Sequence, residues 1–285
     1  MKRRKLFWRK TLEWTVFRIS QAVLACSFLG MLWILWTTVW NGGAVLSWNF
    51  LTQPSKPYGV ESGGIANALQ GTLYITAIAT LLSVPPAVLG GIWMAEFGKK
   101  SRFADVIRFC ANVMMGIPSI ITGLFVYAVW VIPTGHFSGF AGSIALGIIM
   151  FPVVMRTTED MLLLVPDSLR EASLALGMNR TRATIQIVCR TARGGLITGI
   201  LMAFARVAGE TAPLLFTALW SNSWCTHYFS GPTANVPVLI TEYTTNSPYE
   251  VMHAAGWGAA AVMMVLILFL NIGVRCLFGR KGESR

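Results

Sequence analysis

Charge is what this sequence has least of. Only 12% of its 285 residues are Asp, Glu, Lys or Arg, roughly half of the about 25% found in an ordinary soluble domain. So few charges cannot coat a soluble surface, and the long apolar stretches exclude a disordered chain. Five cysteines without a paired spacing exclude a disulfide scaffold. His136, His227 and His253 stand far apart, and no His or Cys cluster has metal-ligand spacing. A nucleotide site is missing as well. Gly98-Lys99-Lys100-Ser101 has the end of a phosphate loop, but Trp93 stands where its first glycine is needed. What is present is 54% hydrophobic residues and a mean hydropathy of +0.59, the composition of a multi-pass membrane protein.

The net charge of +11 suggests nucleic acid in a soluble protein. The placement of the charges argues otherwise. Charge-poor runs separated by turn chemistry predict an all-α integral membrane fold with six transmembrane helices, at about 19–40, 66–95, 109–132, 140–155, 195–219 and 254–274. Of 23 Lys and Arg, 21 fall in the N-terminal tail, the 96–108 and 156–193 loops and the C-terminus. Only Lys56 lies in the other loops, and Arg206 lies within a span. Basic residues collect on the cytoplasmic side, so both termini are expected there, and nucleic-acid binding is not needed. Val23-Leu24-Ala25-Cys26 resembles a lipoprotein cleavage box, but the apolar run continues past Cys26, so a retained first helix is expected. The chain divides into a basic tail (1–18), a six-helix permease-like domain (19–275) with a cytoplasmic loop at 156–194, and a second tail (276–285).

The 156–194 loop contains a short apolar helix. Pro166 ends the preceding helix, Ser168 and Glu171 have capping-box spacing, and Gly177 is placed as a C-terminal stop. Two turns are too short to stand alone in water, so this helix must dock, on its own chain or in a partner's groove. Glu171-Ala172-Ser173, with Gly177 six places after the Glu and Ile187 ten further, resembles the Glu-Ala-Ala loop of ABC-importer permeases. Ser173 replaces the second Ala, and Cys189-Arg190 replace the usual Leu-Pro. The resemblance implies a coupling helix, with Ser168, Glu171, Ala172, Ser173 and Gly177 seated in a separate ATPase. It also implies no enzymatic activity and no cofactor in this chain, ATP being used by the partner.

Arg206 and Glu210 are the formal charges within the predicted fifth span. If that helix enters the bilayer near Gly195, a rise of about 1.5 Å per residue puts Arg206 about 16 Å deep, with Glu210 one turn further on the same face. A mid-span charge costs roughly 2.5–3.5 kcal/mol on insertion scales and faces a cavity or a partner. Two readings are open: a mutual ion pair that fixes packing, or an anion site in which Arg206 offers bidentate donors. Pro118, in Gly116-Ile117-Pro118-Ser119, removes a backbone donor in mid-span, and Pro85-Pro86 is expected to break helix two in the same way. Ser119 and Thr122 can offer hydroxyls to an anion.

The string Arg206-Val-Ala-Gly-Glu-Thr211-Ala-Pro-Leu-Leu-Phe-Thr217 resembles the PstA branch of phosphate permeases. So do Gly63-Gly64-Ile65 with Gly71-Thr72-Leu73, Gly116-Ile117-Pro118-Ser119-Ile120 with Gly123-Leu124-Phe125, and Val165-Pro166 with Ala175-Leu176-Gly177. The resemblance implies a bacterial inner-membrane phosphate importer subunit, with Arg206, Glu210, Thr211, Ser119 and Thr122 as candidates along the substrate path. Its implied partners are a sister permease forming a heterodimer, two ATPase subunits, a periplasmic phosphate-binding protein, membrane lipid and a phosphate-signalling regulator. A permease for sulfate or molybdate is the first alternative. An ion-gradient secondary transporter is the second, and it would need inverted repeats and ionisable residues on several helices.

Overall fold

The computed structural model describes residues 2–57 and 63–279; Arg280, Lys281 and Arg285 of the expected C-terminal tail lie outside the described residues. Among the described residues every regular element is helical. Helix α1 (Lys2–Gly43) is followed by the short α2 (Trp48–Thr52) and by α3 (Ala66–Ile92), which ends in a π-helical turn over Trp93–Phe97. Then come α4 (Arg102–Gly116) and α5 (Ser119–Val126), which runs through a π turn into α6 (Ile132–Thr134). Helix α7 (Gly139–Leu163) precedes the short α8 (Asp167–Ala175). Helix α9 (Arg180–Ala183) continues through a π turn into α10 (Cys189–Ala208), and α11 (Ala212–Leu215), α12 (Val236–Thr241) and α13 (Glu250–Gly279) complete the chain.

Among the described residues five helices are long and apolar enough to cross a membrane, and six if α4 and α5–α6 form one broken span. That agrees with the expected architecture, and three details of it position the site. First, α3 runs through Pro85 and Pro86 without a break. It packs along α7 through small residues, with Ala79, Ala87 and Gly91 buried beside Leu146, Met150 and Val154. A Cβ at Gly91 would stand 2.6 Å from the Met155 carbonyl oxygen, so the backbones meet there without room for a side chain. That packing holds the helix despite the two lost donors.

Second, the third span is broken at Pro118, as expected. Ile117 and Pro118 are extended, at φ/ψ of −73/130° and −55/132°, and the halves meet at 99°. Proline disfavours a helical conformation in the residue before it, and Gly116 just upstream weakens the helix further. Third, the fifth span stops at Ala208, not near 219. Gly209 leaves the helix, and residues 209–211 form a bend before α11. Glu210 therefore lies past the helix end, not one turn along it.

Helix α7 also extends eight residues beyond the predicted 155. Its added turns carry Arg156, Glu159 and Asp160, and Glu159 is buried. The carboxylate accepts from Arg108 Nε at 2.6 Å and from Arg156 Nη1, which joins α4 to α7. At the opposite end of α3, buried Asn67 accepts from the Ser55 amide at 2.9 Å and donates to the Ser221 carbonyl at 3.2 Å. Thr72 Oγ1 accepts from the Val236 amide at 2.8 Å. These bonds fasten the irregular 219–235 segment to the α3–α7 frame.

Candidate functional site

One cavity lies between the Pro118 break and the last turn of α10. It has a volume of about 280 Å³ and is lined by Met115 and Ile117 before the Pro118 break, by Ser119 and Thr122 after it, by Val153 of α7, and by Arg206. Gly123 explains the juxtaposition. A Cβ there would fall 2.6 Å from Pro213 Cα, so α5 and α11 touch backbone to backbone. Of the five sequence-predicted path residues, the structure brings Arg206, Ser119 and Thr122 into this cavity. Glu210 and Thr211 sit in the bend behind Arg206, both half-buried, and do not line it. The Thr211 carbonyl instead accepts from the Leu214 and Leu215 amides and starts α11.

Arg206 is the one charged residue among the cavity-lining residues, and its side chain is 58% exposed. Its nearest carboxylate is Glu210, with Nε to Oε1 at 3.8 Å. That is an ion-pair distance but beyond a hydrogen bond. The pair is loose, and the guanidinium opens onto the cavity. Across from it α5 begins directly after the break, and the first amides of a helix have no intrahelical acceptor. The Ile121 amide donates to the Pro118 carbonyl at 3.0 Å. One charge and two hydroxyl-bearing residues thus line an otherwise apolar chamber. Such a set suits a small anion that must be held and then released.

The second candidate region is α8. It starts at Asp167 with Pro166 as its cap and no side-chain cap bond. The capping box expected from Ser168 and Glu171 does not form, because Pro166 already turns the chain and Ser168 lies inside the first turn. The predicted stop is present. Gly177 has φ +81°, its amide donates to the Leu174 carbonyl at 2.9 Å, and the Met178 amide donates to the Ser173 carbonyl at 3.2 Å. Those two bonds are a Schellman motif. Ser168, Glu171, Ala172 and Gly177 are exposed, as are Leu169, Leu174 and Leu176. Ser173 is buried against the chain, and its hydroxyl donates to the Arg170 carbonyl at 2.7 Å. The helix uses one narrow face to sit on its own chain and leaves a leucine-bearing face open. Beside it, the Lys99 ammonium donates to Asp167 at 3.2 Å and holds that carboxyl below its usual range, with Arg170 adding to the effect.

Sequence reasoning missed Glu96, Arg108, Arg156, Glu159 and Arg170, all of which are tied in ion pairs at the ends of spans. The available signal was the scarcity of acid: with 12 Asp and Glu in the chain, one at the edge of an apolar run needs a cationic partner.

Comparison with known proteins agrees with this architecture. Residues 87–281 match the model of the family "Binding-protein-dependent transport system inner membrane component". The chain is 42% identical over 277 residues to the phosphate transport system permease protein PstA of Haemophilus influenzae, covering 97% of each. It is 40% identical over 280 residues to that of Yersinia pestis, covering 98% of this chain and 94% of the relative. It is 36% identical over 262 residues to PstA 1 of Mycobacterium tuberculosis, covering 90% of this chain and 84% of the relative. An inward-facing structure of the MetNI methionine ABC transporter shares the fold, at a TM-score of 0.60 and 16% identity, covering 78% of this chain and 96% of that one. With a family match over residues 87–281 and relatives at this identity over nearly the whole chain, the chain belongs to the binding-protein-dependent transport system inner membrane components, in the PstA group of permease proteins.

Proposed function

We propose that this chain is the membrane-spanning permease subunit of an ATP-driven importer of inorganic phosphate. The observation that carries the proposal is Arg206, which faces a cavity of about 280 Å³ with Ser119 and Thr122, in a chain whose relatives are phosphate transport permeases. A planar guanidinium recognises tetrahedral oxyanions through paired donors. Glu210 at 3.8 Å steadies Arg206 without occupying its donors, and moderates the local positive charge enough to let the anion leave. The chain works beside a sister permease, two ATPase subunits and a periplasmic phosphate-binding protein in the bacterial inner membrane, and a phosphate-signalling regulator contacts the same complex. Both termini face the cytoplasm. The open face of α8, with Glu171, Ala172 and Gly177, docks in the ATPase and passes on its motion.

The test is phosphate uptake by vesicles holding the purified complex. Arg206→Gln is expected to abolish uptake, and Arg206→Lys to lose most of it, because Lys keeps the charge but not the fork. The double variant Arg206→Gln, Glu210→Gln separates the two readings of the pair. An anion site leaves it assembled but inactive, whereas a purely structural pair leaves it both assembled and active. Uptake near wild type in the double variant, at matched protein level, overturns the proposal.

A further inference from the structure

Arg170 ties helix α8 to the rest of the chain through its guanidinium. Arg170 Nε donates to Glu96 Oε1 at 3.0 Å, and Nη2 donates to the same oxygen at 2.7 Å. Nη2 also donates to the Leu162 carbonyl at 2.7 Å. Nη1 donates to the Val165 carbonyl and, at 3.1 Å, to Asp167. The side chains of Arg170 and Glu96 are only 12% and 5% exposed. One guanidinium therefore joins four places: the π turn that ends α3, the last turn of α7, the link at Val165, and α8 itself. The Glu96 backbone is gripped as well, since Arg180 Nη2 donates to its carbonyl while the guanidinium lies over the Phe97 ring at 5.1 Å. The neighbouring Glu171 is exposed. Adjacent residues thus face opposite ways, Arg170 to the frame and Glu171 to whatever docks outside.

A buried, multiply bonded ion pair transmits force better than an apolar contact, because sliding it leaves both charges unpaired away from water. The turn it holds is also adaptable. Trp93–Phe97 is π-helical, an over-wide turn that often marks functional sites within helices. We propose that Arg170 is a positioning residue that clasps α8 to the cytoplasmic end of α3 through Glu96, so that displacement of α8 is delivered to α3 and to the α7 packed along it. This rests on the reading that α8 docks in an ATPase. Lysine cannot replace Arg170 here. Its three donors sit on one nitrogen, whereas three guanidinium nitrogens fixed in one plane reach five acceptor contacts.

The experiment compares Arg170→Gln, Arg170→Lys, Glu96→Gln and Glu96→Asp with wild type in the purified complex reconstituted in vesicles, with phosphate uptake and ATP hydrolysis measured on the same preparation. The expected result is a fall of about tenfold in phosphate moved per ATP, with hydrolysis retained, which corresponds to about 1.4 kcal/mol of lost coupling. A second readout is amide exchange under added nucleotide. In wild type, protection at residues 93–97 changes together with that at 167–177. In the variants, the change at 167–177 persists and the change at 93–97 is lost. If the glutamine variants do not accumulate, Arg170→Lys and Glu96→Asp carry the test. An unchanged ratio of phosphate to ATP, or a nucleotide-linked change at 93–97 that survives in the variants, overturns the clasp. If wild type itself moves no phosphate, the importer reading has failed, and the exchange experiment, which needs only nucleotide, still decides the clasp.

Discussion

Gly177 offers a test in which backbone strain and side-chain size rank asparagine and alanine in opposite order. Its φ of +81° lies in the left-handed region, and a Cβ built there meets nothing within 4 Å. Within this chain a larger residue therefore has room but not the right backbone. An ordinary L-residue loses about 1–2 kcal/mol in that conformation, asparagine loses less, and a β-branched residue loses more. The conformation supports two bonds, Gly177 amide to Leu174 carbonyl and Met178 amide to Ser173 carbonyl, which set the direction in which the chain leaves α8. A cost of 1–2 kcal/mol shifts the balance between capped and frayed ends by about 5- to 30-fold. The series Gly177→Asn, Gly177→Ala and Gly177→Val should therefore lose transport per ATP in that order, with Asn mildest although it is larger than Ala. Uptake and ATP hydrolysis are measured together in reconstituted vesicles at matched protein level. Exchange of the Gly177-position and Met178 amides should rise in the same order. If Ala transports better than Asn, loss follows size and crowding in the partner's groove is the cause. If all three variants couple normally, the geometry at the end of α8 does not set coupling, and the reasoning fails.

Other outcomes follow from the same frame. Glu159→Gln removes the buried carboxylate shared by Arg108 and Arg156 and should cost about 3 kcal/mol, because it leaves these partly buried cations only the exposed Asp105 and Asp160 as partners. Asp160→Asn, at a residue 56% exposed with an ion pair of 3.7 Å, should cost about 0–1 kcal/mol; thermal unfolding of the purified complex compares the two. Gly91→Ala puts a Cβ 2.6 Å from both the Met155 carbonyl oxygen and Thr158 Cβ and should cost about 1–3 kcal/mol through overpacking. At Gly147 the nearest atom is at 3.6 Å, so Gly147→Ala should be neutral or gain up to about 1 kcal/mol of helix propensity; membrane abundance reads both. A reporter fused after Arg285 should be cytoplasmic and one inserted near Ser230 external, since 21 of 23 basic residues fall on one side; an external C-terminus would overturn the orientation.

The spans were readable from the sequence because bilayer-crossing helices exclude charge, and charge is easy to count. The breaks were only half readable, for reasons that three prolines make clear. Pro118 breaks its span and Pro85 and Pro86 do not, although each removes the same donor. The difference is tertiary: α3 lies along α7 through buried small residues, whereas Ser119 and Thr122 after the other break face a cavity. The end of α10 at Ala208 was hidden because the apolar run continues beyond it, and hydropathy does not register a turn inside an apolar run. That is why Arg206 and Glu210 read as one face of a helix when they flank its end. The buried acids were hidden differently. Glu96 meets Arg170, 74 residues away, across a contact that no local pattern encodes. Glu96 and Glu159 are each bound by arginine within hydrogen-bonding reach, as burial of a carboxylate requires. Arg206 has no counterpart of that quality among the described residues: its carboxylate neighbour stands at 3.8 Å, and more than half of its side chain remains open. In a chain where acids at span ends are tightly paired, an arginine so loosely balanced, lining a cavity with Ser119 and Thr122, is the reason the proposed function places the anion there and why the double variant is its decisive test.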